Sequence, residues 1–303
     1  MNKPANAALP AYAPSGKIAW TASFKILLFG IPGAALLGWL YALLLHYSPA
    51  ALISVFGLML FSVFTGVLCS MVLKAAHSRS RPFNAIAGGF LGFVMLWVHW
   101  ALWIRMGFDQ GPKLAGYFIT SGPQGWVTMH IPFGQRPREL EPERFKVNWL
   151  ALLWFVEAAI LVWLPALIAK MQADDPYSET ARAWAEDDIN GELWWDGGMS
   201  SELRSRLEEE GVDFLCRLPR AVEIGTPVAS QWWTAGVKGQ KVESDPAARW
   251  VTISVIEQNR DENGKVKSTR TPVIANWNID AAHYARLAEH LPRSTSNVAV
   301  AAD

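Results

Sequence analysis

The sequence predicts an α-helical membrane bundle of four transmembrane helices followed by a small cytoplasmic α+β domain. Three observations predict it. Four apolar stretches, at 26–45, 50–73, 85–104 and 149–169, have the length of a membrane span, which needs about 20 apolar residues. All four lie in the first 170 residues, and beyond Lys170 the chain turns charged, turn-rich and strand-like. In lipid a backbone has no water to bond to, so such spans must close their hydrogen bonds as helices.

Residues 1–25 carry Lys3, Lys17 and Lys25 and no carboxylate, and their Pro/Ala-rich start lacks the small-residue cleavage site of a secretory leader. They read as a retained, flexible cytoplasmic arm. The first two helices are joined by Tyr47–Ser48–Pro49, a turn too short for anything but antiparallel neighbours. Three basic residues precede the first helix, none stands in that turn, and Lys74, Arg79 and Arg81 separate the second helix from the third. Positive flanks stay on the cytoplasmic side. The pattern places the N-terminus, and after four spans the C-terminus, on the cytoplasmic side of the membrane. The external segment 105–148 holds six basic residues of its own and weakens the asymmetry. It mixes Ser121, Gly122, Pro123 and Gly125 with Trp126, Val127, Met129, Ile131 and Phe133. Connections this long are often functional, so it is a candidate partner or ligand surface.

Small residues recur every fourth position at Gly30, Ala34 and Gly38, and again at Gly88 and Gly92, faces that let another backbone approach closely. Packing within the bundle is the first reading and a homo-oligomer seam the second. Pro32 and Pro165 are expected to kink the first and fourth helices. Trp39, Tyr41, Tyr47, Trp97, Trp100, Trp103, Trp149 and Trp154 crowd the outer ends and read as an interfacial aromatic belt.

After an acidic linker over 171–199, the segment 200–293 reads as the α+β domain, and 294–303 as a disordered tail. Ser200–Glu210 is a helix by its opening serines and Glu202. Val212–Leu218, Ser230–Val237 and Trp250–Glu257 have strand composition, Asn263–Gly264 is a hairpin turn ahead of Val266–Trp277, and Asp280 caps a closing helix, Ala281–Leu291. Residues 171–303 hold 22 acidic against 14 basic side chains, a balance of minus eight. Such a surface does not suit nucleic acid, whose phosphates require a basic footprint. The partners expected are the lipid bilayer and a protein partner or second copy. Cys69 in a span and Cys216 in the tail cannot pair on this topology.

Glu157 is the one ionisable residue well inside a span, and an intramembrane charge marks a functional site by default. His99 lies at a similar depth: at about 1.5 Å per residue the two differ by only about 4 to 5 Å. They form an intramembrane polar pair, read either as a packing pair that fixes two helices in register or as a proton relay or cation site. His46 and His130 offer further nitrogens, yet nothing in the spacing demands a metal, and no cofactor motif appears: no HExxH, paired CxxC, Walker loop or GxSxG. Trp194, Trp195 and Trp126 stand as possible partner contacts, and Trp232 and Trp233 must face opposite sides of a strand. No catalytic set can be assembled.

Several motifs resemble a group of uncharacterised bacterial four-span proteins. They are His99-Trp100-Ala101-Leu102-Trp103 closing the third helix, Gly125-Trp126 in the external segment and Trp154-Phe155-Val156-Glu157-Ala158 in the fourth helix. Where that group carries Pro-Phe-Cys-Glu-x-Cys-x-x-Trp, this chain has Pro176-Tyr177-Ser178-Glu179-Thr180-Ala181-Arg182-Ala183-Trp184. The resemblance covers about half the chain and implies four-span topology more than function. It also implies a structural zinc knuckle in the relatives that is lost here, since Ser178 and Ala181 supply no thiolate. The function expected is a non-enzymatic, membrane-anchored scaffold or protein-interaction module. The alternative is a small transporter, channel subunit or proton-linked component using Glu157 and His99.

Overall fold

The structure is a computed structural model and describes residues 11–47, 51–107, 144–224, 229–262 and 264–292. The chain divides into two compact units, Pro14–Asp174 and a second made of Met1–Ala13 with Asp175–Asp303. The turn at 48–50, residue Asn263, the tail from 294 and all of the external segment between 108 and 143 lie outside the described residues.

The first unit is helical: α1 (Thr21–Tyr47), α2 (Ala51–Ala75), α3 (Arg81–Gly107) and α4 (Arg144–Gln172). Among the described residues these four are long and apolar enough to cross a membrane. Each overruns the apolar stretch that announces it, because a helix continues into polar flanks as long as its backbone bonds are met. The expected flexible arm is corrected: Thr21–Lys25 is already helical, and the Lys17 carbonyl accepts from the Arg79 amide at 3.0 Å. Ile26–Gly30 forms a π turn just ahead of Pro32, where the missing proline N–H loosens the regular ladder. The fourth helix runs unbroken through Pro165.

Glycine sets how closely these helices pack. A Cβ on Gly92 would stand 2.1 Å from the Leu161 carbonyl oxygen, and one on Gly88 2.5 Å from that of Pro165. Leu161 lies four residues before Pro165, so its carbonyl has no helical donor and turns instead to the Gly92 Cα–H, a weak but favourable contact. A Cβ on Gly38 would likewise meet the Met95 carbonyl at 2.5 Å, and one on Gly30 the Leu91 side chain at 3.0 Å. Ala34 is fully buried. These faces are therefore occupied within the chain. Leu73, Leu91, Met95 and Leu161 fill the interior, whereas Leu27, Phe29, Phe56, Ile86, Phe155 and Trp163 point outward and are exposed.

The second unit is an antiparallel sheet with helices on one face. In chain order it comprises a small hairpin, β1 (Tyr177–Ser178) and β2 (Ala183–Trp184), then β3 (Glu186–Trp195), α5 (Ser200–Glu210), α6 (Val212–Arg217) and α7 (Ala221–Ile224). β4 (Gln231–Val242), β5 (Asp245–Arg260), β6 (Val266–Asn278) and α8 (Ala281–His290) complete it, and the sheet order is β3-β4-β5-β6. Leu193, Ala235 and Val255 share one register row, and with Val237, Ile253 and Ile274 they bury against Leu203, Leu207, Leu215 and Leu287 of the helices. Each such side chain contributes about 1.5–3 kcal/mol relative to exposure. Asp280 caps α8 by accepting from the His283 amide at 2.8 Å, and Gly264, at φ +79°, takes the left-handed turn position. Ala11 pairs with Trp277, and the Tyr12 amide donates to the Asn276 carbonyl at 2.8 Å, so this part of the arm extends the edge of β6.

Two expectations are corrected here. The acidic linker 171–199 contains β1, β2 and β3, so the sheet begins before residue 200. Its acids hid a strand whose Ile189, Leu193 and Trp195 turn inward, while Asp187 and Asp188 pair with Lys238 and Lys241 of β4 at 2.8 and 3.1 Å. Val212–Leu218 is a helix rather than a strand: Val212 and Leu215, three apart, are the buried residues. Gly211, at φ +70°, breaks it from α5.

Gly92→Ala should push α3 from α4 and cost about 1–3 kcal/mol. Gly89→Ala, whose Cβ meets only ordinary contacts at 3.7 Å, should be near neutral. Thermal unfolding of the two variants in detergent, compared with the parent, checks this.

Candidate functional site

Tyr41 of α1, His99 of α3 and Glu157 of α4 meet inside the helical unit. The Tyr41 hydroxyl donates to Oε1 of Glu157 at 3.0 Å, and Nε2 of His99 lies 3.5 Å from the same oxygen. The Tyr41 and His99 rings stand 4.5 Å apart, centroid to centroid. Both residues are 2% exposed. Gly38, less than one turn before Tyr41, makes this possible: a Cβ there would sit 3.3 Å from the His99 amide nitrogen, so the missing side chain lets α1 close onto α3. Phe61 of α2 packs on Tyr41 at 5.6 Å, and Trp100 on Trp154 at 5.1 Å.

Two groups, the Tyr41 hydroxyl and Nε2 of His99, converge on one carboxylate oxygen. An ionised Glu157 accepts from the tyrosine and leaves the imidazole free to donate through Nε2; a protonated Glu157 can donate in turn. The cluster can hold and reposition a proton, and it ties three helices together at one depth. The Nδ1 of His99 is buried and has no hydrogen-bond partner among the described residues.

The sequence reading brought His99 and Glu157 together and placed Tyr41 in the aromatic belt, as it did Trp100. That placement is corrected for both: Tyr41 and Trp100 are buried in the bundle. The signal that could have found Tyr41 was its spacing from the glycine stripe, which puts it on the inward side of α1. Trp39 and Tyr47 are outward and exposed. Among the described residues no group of three His, Cys, Asp or Glu side chains could hold a metal.

A second buried polar set went unread in the sequence. Ser78 donates to Oδ1 of Asn84 at 2.6 Å, and Nδ2 of Asn84 donates to Oε1 of Gln172 at 2.9 Å. Close in sequence, Arg81 meets Asp174 at 2.5 Å, and Lys25 donates to the Ala75 carbonyl at 2.6 Å. These bonds join the start of α1, the end of α2, the start of α3 and the end of α4 at one end of the unit.

Of the possible partner contacts, Trp126 lies outside the described residues. Trp195 is corrected: it is buried against Phe214, 5.8 Å away, and is unavailable to a partner. Trp194 lines an open cleft of the second unit.

Fold and site together define a class: four helices able to cross a membrane, with a buried Tyr–Glu–His cluster, joined in one chain to a separate β-sheet unit. No protein-family model, curated protein or solved structure matches this chain.

If the cluster couples its helices, Tyr41→Phe and Glu157→Gln should be non-additive in stability by about 0.6–2 kcal/mol. A double-mutant cycle on unfolding in detergent measures it. Additivity within about 0.3 kcal/mol would exclude coupling.

Proposed function

We propose that the chain is a multi-pass protein of a bacterial inner membrane, with both termini cytoplasmic, that works without catalysis as an anchored scaffold presenting its α+β unit to a protein partner. The observation that carries this reading is the pairing of a helical unit whose exposed side is apolar with a second unit that has a core of its own. Orientation is supported by charge. Lys17, Lys25, Lys74, Arg79, Arg81 and Lys170 all belong to the end cross-tied above, and burial together with Lys25 and Arg79 pushes the His77 imidazole below its ordinary value. Positive ends stay inside. Pairing of Ala11 with Trp277 further supports one compartment for the N-terminal segment and the sheet.

Kinship with the four-span proteins belongs to this proposal. At the frame positions of their cysteines, Ser178 accepts from the Ala181 amide at 3.0 Å and donates to Asp245 at 2.5 Å, so hydrogen bonds close a turn that a metal would close in the relatives. Stoichiometric zinc on the purified protein would overturn this point.

A second reading is favoured by one observation, the Tyr41–Glu157–His99 cluster. In it the chain is a proton-linked transport component, and Glu157→Gln abolishes pH-dependent flux in proteoliposomes while assembly persists.

A green-fluorescent reporter at the C-terminus should fluoresce and an alkaline-phosphatase reporter there should be inactive. Affinity capture of the tagged full-length protein from its native membrane should return one specific protein, unchanged by Glu157→Gln. An active phosphatase, or loss of capture in that variant, would reject the scaffold reading.

A further inference from the structure

The helices α5, α6 and α8 pack on one face of the sheet of the second unit, and the opposite face carries an unassigned site. On β3 the residues of that face are Asn190, Glu192 and Trp194. Across the register, Trp194 pairs with Thr234, Glu192 with Gly236, and Trp232 with Gln258. The outer edge of β3 is covered by other segments: the Trp194 amide donates to the Pro219 carbonyl at 2.8 Å, Leu193 bridges to Arg220, and the Asn190 amide donates to the Pro292 carbonyl at 3.2 Å. These segments, with α7, rise beside the sheet and enclose a cleft of about 890 Å³. That volume is within the range of ligand pockets and far exceeds what a lone ammonium ion fills.

The floor of the cleft is a carboxylate held in place by neutral groups. Oε2 of Glu192 accepts from Oγ1 of Thr234 at 3.1 Å and from Nε2 of Gln258 at 3.3 Å. Gly236 stands opposite, and the Ile256 and Ser254 side chains and the Arg270 guanidinium close over the place its Cβ would take, at 2.9, 2.9 and 3.4 Å. Among the described residues no cation pairs with Glu192, whereas on the same strand Asp187 pairs with Lys238 and Asp188 with Lys241. The one basic residue lining the cleft, Arg220, faces Glu223 at 3.6 Å and donates to the Glu289 carbonyl at 3.4 Å. Among the lining residues Glu192 and Glu223 outnumber Arg220 by one, with the Arg260 and Arg270 guanidiniums bordering the cleft at Trp232 and Gly236. Its walls include the indoles of Trp194 and Trp232, and Trp232 already carries a cation within the chain, with the Arg260 guanidinium 5.4 Å from its ring centroid.

We propose that this cleft receives a lysine or arginine side chain of a partner polypeptide, with Glu192 as counter-ion, the indoles flanking the aliphatic stem, and Ala221, Val222 and Leu291 meeting the residues on either side. A carboxylate beside an aromatic face is the combination that binds an organic cation in water, through charge-assisted hydrogen bonds and the ring quadrupole. The site rests on the scaffold reading and names the chemistry of its partner.

The test uses the full-length protein in nanodiscs of neutral lipid. The probes are the acetylated, amidated pentapeptides Gly-Gly-X-Gly-Gly, with X as Lys, Arg, Ala or Glu, and their dissociation constants are measured by saturation-transfer NMR. The Lys and Arg peptides should bind at least tenfold more tightly than the Ala and Glu peptides. Glu192→Gln should erase that preference, and Trp194→Ala should weaken the cationic peptides at least threefold. Should Glu192→Gln not fold, Glu192→Asp, which withdraws the carboxylate by one methylene, should reduce the preference. Equal binding of all four peptides, or a preference that survives Glu192→Gln, would overturn the site. Spermidine or butylammonium binding as tightly as the Lys peptide would overturn the polypeptide assignment. Peptide discrimination without any captured protein would count against the scaffold reading alone, and a captured protein without discrimination against the cleft alone.

Discussion

The approach of α3 to α4 at Gly88 and Gly92 governs the helical unit. Between apolar helices in lipid there is no hydrophobic gain to be had, because the tails are as apolar as leucine, and association must come from close van der Waals contact and polar bonds. Removing two side chains lets the backbones touch. The proline that would ordinarily disturb α4 contributes instead, since the carbonyl it frees at Leu161 is the group lying against Gly92. Gly38 does the same for α1 on α3. The Tyr41–Glu157–His99 cluster is a consequence: a 3.0 Å hydrogen bond from Tyr41 and a 3.5 Å approach of His99 to the same carboxylate oxygen can form only where the backbones have already been drawn together.

The sheet unit is organised by charge pairing along its strands. β3 opens with acids and β4 closes with lysines, and their antiparallel register lays one against the other. Tyr284 joins them by donating to Asp188 at 3.1 Å, and its hydroxyl is pushed above its ordinary value first by burial and then by that carboxylate. Such half-exposed pairs add little net stability. They hold the register of an outer strand whose inward residues are well spaced.

Much of the helical unit was legible because span length is a coarse signal that no tertiary context overrides. Glu157 and His99 were legible together because a polar residue in an apolar run is conspicuous and depth along a helix is a simple count. Tyr41 was not, since a tyrosine near a span end has an ordinary explanation in the headgroup region, and only the glycine face shows that it turns inward. β3 was obscured by local composition: Glu186, Asp187 and Asp188 have low strand propensity, and the lysines that compensate them lie some fifty residues away. Val212–Arg217 misled through its β-branched and aromatic residues, where the i, i+3 spacing of Val212 and Leu215 was the better guide.

Ala11 and Tyr12 finish the edge of β6, and this gives the sheet unit a discontinuous origin. Its first piece leaves the ribosome before any of the four helices, and the strand that piece completes is made after all of them. Until β6 is made the early segment has no strand to pair with, and β6 emerges with an edge that a segment preceding the helices closes. Completion of the sheet thereby requires that the four helices between its two pieces have already been produced.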